Sequence, residues 1–105
     1  MTEPYEPTQP SREDIERQTG PAVLQFGTNW CGYCTAAEPL IERVLAERPQ
    51  LPRTKVEDGQ GRVLGRFFKV TLWPTLVFLQ DGREVARVVR PHSEQELRAA
   101  LGQLR

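Results

Sequence analysis

Five residues, Ala22-Val23-Leu24-Gln25-Phe26, do most to limit the folds open to this chain. The run is short and nearly all apolar, the pattern of a strand covered on both faces. Beyond it, Ala37, Leu40, Ile41, Val44 and Leu45 fall at helical spacing, and Arg53 to Asp58 reads as a second strand. A helix joining two strands of one sheet is a crossover, so these two strands run parallel. Thr75 to Leu79 and Glu84 to Val89 flank Asp81-Gly82, a hairpin turn signal, and are therefore antiparallel. The expectation is an α/β chain: a central mixed sheet of about four strands with helices on both faces.

The remaining elements follow from their caps. Residues 1–10 carry Pro4, Pro7 and Pro10 and read as an extended, poorly ordered arm. Ser11, followed by Glu13 and Asp14, caps a short helix to about Gln18, which Gly20-Pro21 ends. Pro39 falls inside the helical pattern and is expected to kink it, because it lacks a backbone donor. Val63, Leu64, Phe67 and Phe68 suggest a helix to about Lys69. Ser93 and Glu96 form a capping box ahead of Leu97, Leu101 and Leu104. Residues 11–105 then make one domain, a size that suits a single core.

Formal net charge is zero over 105 residues, so no global field points to nucleic acid or an anionic membrane as partner. No apolar run approaches the roughly 20 residues of a membrane span. Met1 to Pro10 has neither the basic nor the apolar segment of a secretory signal, and the expected location is the cytoplasm.

Asn29-Trp30-Cys31-Gly32-Tyr33-Cys34 holds the chain's two cysteines. A staple closing so short a loop adds little stability, and a reducing cytosol disfavours it. A closed zinc site needs four ligands; there is no third cysteine and His92 is the one histidine, so no metal is expected. A redox pair fits better. Residues three apart at a helix start lie about 5–6 Å apart at Cβ, and a disulfide needs about 3.5–4.5 Å. A small adjustment thus opens or closes the bond. A helix N-terminus offers unpaired N–H groups and a positive dipole end, which favour the attacking thiolate. Cys31, at the helix mouth, is expected to be the exposed nucleophile, and Cys34, one turn in, the shielded resolving thiol. Gly32 is expected to let backbone pack around the sulfur, with Trp30 as an apolar shoulder.

With these residues in view, the chain resembles the thioredoxin family over nearly its whole length. Trp30 to Cys34, WCGYC, is similar to that family's active-site segment, and Trp73 to Val85, WPTLVFLQDGREV, to its cis-proline strand and hairpin. Pro39 matches its helix proline. The resemblance implies a thioredoxin-like fold and thiol–disulfide exchange with protein disulfides through Cys31 and Cys34. It implies a cis Pro74 against the cysteines and a substrate groove of Trp30, Gly32, Tyr33, Trp73 and Pro74. No cofactor beyond the cysteine pair is expected, and a reductase or dithiol must recycle it. The family commonly has proline where Tyr33 stands and a buried Asp where Gln25 stands. Gln25 is therefore expected beneath the cysteines, facing Cys34 and modulating it: an amide can position a water but cannot accept the proton of Cys34.

Other residues have plainer readings. His92 is a loop residue, and Arg83 and Arg87 belong to a solvated edge, with Arg90 nearer the groove. Phe67 and Phe68 are helix core. Two further function classes stay open at this level. One is a non-catalytic binding module using the groove around Trp30, Trp73 and Pro74; the other is a glutathione-using enzyme.

Overall fold

The computed structural model describes residues 3–105. In chain order the elements are α1 (Arg12–Arg17), β1 (Pro21–Gly27), α2 (Gly32–Leu45), β2 (Arg53–Glu57), α3 (Val63–Phe67), β3 (Thr75–Gln80), β4 (Arg83–Val89) and α4 (Glu94–Leu101). The four strands form one mixed sheet in the order β2-β1-β3-β4. β1 is parallel to β2 and antiparallel to β3, and β3 is antiparallel to β4. Asp81 and Gly82 turn the hairpin with φ of 53° and 78°, the left-handed pair that a two-residue hairpin loop needs.

Period-two alternation along β1 explains the layering. Ala22, Leu24 and Phe26 point to one face, where Ile15 of α1, Leu64 of α3 and Phe68 cover them. Val23 points to the other, where Ala37, Ile41 and Val44 of α2 and Leu97 and Leu101 of α4 lie. Each Val, Leu, Ile or Phe side chain among these that is taken out of water is worth about 1.5–3 kcal/mol. Gln25 falls on this second face, so a polar residue is aimed at the underside of α2. That helix runs unbroken through Pro39.

Three elements differ from expectation. α3 stops at Phe67, and Lys69 has φ of 57°. Phe67 is not core: it is half-exposed, with the Arg12 guanidinium 4.5 Å from its ring centre, while Phe68 alone is buried. The arm, expected to be poorly ordered, is docked on the edge of β2. Glu6 N–H donates to Lys55 O and Glu57 N–H to Glu6 O, each at 3.0 Å. That single bridge carries Tyr5 beneath the start of α2, where it is 4% exposed.

Candidate active site

Three residues separate the end of β1 from Cys31, which is the N-cap of α2. Its backbone is extended, and its sulfur accepts the Cys34 backbone N–H at 3.2 Å. The sulfur thus occupies the place of a capping oxygen, facing the helix's unpaired donors. Both cysteines are free thiols. Cys31 is not exposed, as the helix-mouth position suggested: it is 7% exposed and Cys34 is 2%. Trp73 is partly buried and packs against the cluster of Tyr5, Cys31 and Cys34.

The close approach expected at Gly32 occurs at Gly27. A Cβ on Gly32 would meet nothing within 4 Å, so that face is open. A Cβ on Gly27 would stand 2.6 Å from the Cys34 sulfur and 2.8 Å from the Tyr5 hydroxyl oxygen. Only a glycine there lets both groups sit on the sheet.

Burial pushes the Cys34 thiol up to about 11, and a hydrogen bond and charge repulsion from Cys31 act in the same direction. A backbone hydrogen bond from Thr28 and the Tyr5 hydroxyl pull it down. Neutral thiol is the resting form of Cys34 at neutral pH.

Around the cysteines the other expected residues converge. Trp30 is 79% exposed and meets Trp73 edge-on, with ring centres 5.7 Å apart. Trp73 is tied from below by its Nε1–H, which donates to Asp58 Oδ2 at 2.9 Å. Asp58 in turn presses on Gly65, where a Cβ would lie 1.9 Å from its Oδ1. The Trp73–Pro74 peptide bond is cis, and Pro74 is buried. Tyr33 is exposed, and the Arg90 guanidinium stacks on its ring at 3.7 Å, a contact worth about 0.5–1 kcal/mol at an exposed site. Arg90 also donates through Nε to Trp73 O at 2.8 Å and through its backbone N–H to Pro74 O at 2.8 Å. One arginine therefore links the loop before β3 to the first turn of α2. Arg83 and His92 are exposed, and the His92 backbone N–H donates to Glu96 Oε1 at 2.8 Å.

Gln25 is fully buried, and its hydrogen bonds go to Tyr5, Glu38 and Arg53 rather than to Cys34. Its Nε2 donates to Tyr5 Oη at 2.7 Å and to Glu38 Oε2 at 3.1 Å. Its Oε1 accepts from Arg53. Glu38 Oε1 also takes Arg53 Nη2 at 2.7 Å and Lys55 Nζ at 3.1 Å. The buried carboxylate near the cysteines thus comes from α2, not from β1.

Tyr5, Glu38, Lys55 and Asp58 are site residues that sequence reasoning missed. Glu38 carried a signal, since it stands four residues after Cys34 and so on the same helix face. Lys55 sits directly beside Gln25 in the parallel register. Nothing in the sequence marks Tyr5. Among the described residues no group of three or more His, Cys, Asp or Glu is arranged to hold a metal, and no helix is long and apolar enough to cross a membrane.

The thioredoxin family model matches residues 7–103. Thioredoxin from Chlamydia pneumoniae is 34% identical over 71 residues, 68% of this chain and 70% of that one. The bifunctional thioredoxin reductase/thioredoxin of Mycobacterium leprae is 31% identical over 77 residues, 72% of this chain but 17% of that protein. The reduced form of thioredoxin 2 from Pseudomonas aeruginosa superposes with a TM-score of 0.86 at 52% identity, covering 96% of this chain and 94% of that one. The four-stranded mixed sheet, the cysteine pair capping α2 and these matches place the chain in the thioredoxin family, whose fold supports thiol–disulfide oxidoreductase activity.

Proposed function

We propose that this chain reduces disulfides in proteins by dithiol–disulfide exchange through Cys31 and Cys34. The observation that carries the reading is the Cys31 sulfur at the N-cap of α2, with the Cys34 amide donating to it at 3.2 Å. Cys31 attacks one sulfur of a substrate disulfide, and that bond breaks as the first substrate thiol leaves. A mixed disulfide joins Cys31 to the substrate. Cys34 gives up its proton and attacks Cys31, and the second substrate thiol leaves. Two electrons have passed to the substrate, and the pair remains as a disulfide.

The exposed faces of Trp30, Gly32 and Tyr33, with Trp73 and Pro74 opposite, form the substrate groove. Aromatic side chains offer contact area at low entropic cost, which supports a polypeptide ligand. No cofactor beyond the pair takes part in this scheme. A reductase or dithiol restores the thiols; the Mycobacterium leprae relative, whose name joins thioredoxin reductase to thioredoxin, supports a reductase. The working compartment is the cytoplasm, where such recycling is available.

Insulin reduction with dithiothreitol as electron donor tests the reading. Catalysed precipitation of the insulin B chain that vanishes with Cys31→Ser is expected. Tight insulin binding without turnover would overturn it.

A further inference from the structure

The polar cluster under the cysteines fixes the direction of its own hydrogen bonds. Arg53 can only donate, so the Gln25 oxygen faces Arg53 at 3.0 Å and 2.6 Å. The Gln25 nitrogen must then face the other way, toward Glu38 and Tyr5. An amide nitrogen can only donate. The Tyr5 oxygen is therefore an acceptor in that 2.7 Å bond, and its own proton is left for another acceptor.

The Cys34 sulfur lies beside it. Tyr5 and Cys34 pack in one buried cluster, and their oxygen and sulfur both fall within 3 Å of the point where a Gly27 Cβ would stand. Tyr5 is held there at both ends of its peptide unit: its N–H donates to Asn29 Oδ1 at 2.8 Å, and its C=O accepts from Asn29 Nδ2 at 3.2 Å. The Lys55 ammonium lies 4.5 Å from the ring centre. Burial above all, with the neighbouring Cys34, holds the Tyr5 hydroxyl well above its ordinary range, so it keeps its proton.

We propose that Tyr5, delivered by the N-terminal arm, is a catalytic residue of the resolving step: its hydroxyl donates a hydrogen bond to the Cys34 thiolate as that sulfur attacks the mixed disulfide. The proposal rests on the exchange reaction above. Cys34 loses its proton, the sulfur–sulfur bond to Cys31 forms, and the Cys31–substrate bond breaks. The proton ends on the released thiol, and Tyr5 keeps its own throughout. The charged and titratable groups facing Cys34 and Tyr5 are Cys31 and Glu38 from α2 and Lys55 from β2, with Arg53 behind Gln25. Gln25 acts as a positioning residue, since its amide turns the Tyr5 proton toward sulfur.

An aromatic disulfide, 5,5′-dithiobis(2-nitrobenzoic acid), separates the two steps in one stopped-flow trace of the reduced chain. The first nitrothiolate is released by Cys31 and the second by Cys34. In Tyr5→Phe the first phase is expected to keep its rate. The second is expected to slow by about tenfold or more, the scale of a lost hydrogen bond to a charged group. Equal second phases would overturn the proposal. Titrating the Cys34 thiolate by absorbance in a Cys31→Ser background guards against a loosened arm. Loss of the hydroxyl raises the Cys34 midpoint, whereas water admitted by a loosened arm lowers it. An unchanged or lowered midpoint in Tyr5→Phe would also overturn the proposal. So would a rise caused instead by Thr28→Val, which removes the other buried hydroxyl near Cys34. Both measurements read thiols directly, so they stand even if insulin is not a substrate.

Discussion

Gly27 and Cys34 meet with no side chain between them: a Cβ on the glycine would stand 2.6 Å from the sulfur. The last residue of β1 thus sets how deep the Cys34 thiol, the proposed resolving group, sits. Gly27→Ala must push Cys34 and Tyr5 off the sheet, and overpacking of this kind costs about 1–3 kcal/mol. Chemical denaturation should show that loss. Gly32→Ala, whose added carbon meets nothing within 4 Å, should cost well under half as much by the same measurement.

Replacing Cys34 by Ser removes the resolving attack. A mixed disulfide with substrate should then accumulate at Cys31 and be visible by intact-mass spectrometry. Cys31→Ser should trap none under the same conditions, because Cys34 lies buried and protonated at neutral pH.

The thiol of Cys34 also links stability to pH. Burial raises it from about 9 to about 11 in the folded state. Between those values the folded protein holds a proton that the unfolded chain has lost. The stabilisation is whole below pH 9 and falls as pH climbs toward 11. Urea unfolding of the reduced protein at pH 8 and pH 10.5 should show the decline, and Cys34→Ala should lessen it, leaving the part that the buried Tyr5 hydroxyl, also raised, adds near the top of that range.

Glu38 is the buried carboxylate shared by Arg53 and Lys55. Glu38→Leu strands the Lys55 ammonium, whose side chain is 6% exposed, and should cost about 3–5 kcal/mol. Changing both residues, Glu38→Leu with Lys55→Met, should recover most of that loss, since an apolar pair of similar volume has no charge to desolvate. A double-mutant cycle by denaturant titration checks this, and additive losses would show that the two groups do not act as a pair.

Gly65 controls a more distant contact. An added methyl there collides with Asp58 Oδ1 at 1.9 Å and must displace the carboxylate that holds Trp73 Nε1. Gly65→Ala should raise the KM for insulin by about three- to tenfold, the worth of one such hydrogen bond, with kcat little changed. An unaltered KM would mean that Trp73 keeps its place without Asp58.

Local signals carried the element order. The five-residue run at Ala22 reads as a strand because it is short and nearly all apolar, and Asp81-Gly82 dictates its hairpin because both residues accept positive φ. Ser93 and Glu96 form the capping box that their spacing implies. What stayed hidden depends on distant partners. Tyr5 is buried only because Asn29, 24 residues later, and Gln25, 20 residues later, bind it. Three prolines around it read as disorder, since no local pattern announces an edge to dock on. The partners of Glu38 were hidden too, because its cations, Arg53 and Lys55, come from β2. Gln25 was expected to face Cys34; the Tyr5 hydroxyl takes up its amide instead.

The edge-on contact of Trp30 and Trp73 has an optical consequence. These are the chain's two tryptophans, and one is 79% exposed while the other packs on the cysteine cluster. Emission excited at the red edge of indole absorption therefore comes from the mouth of the active site alone. Oxidation of the pair or a ligand in the groove should therefore change that emission, so that a fluorimeter can follow unlabelled protein during turnover.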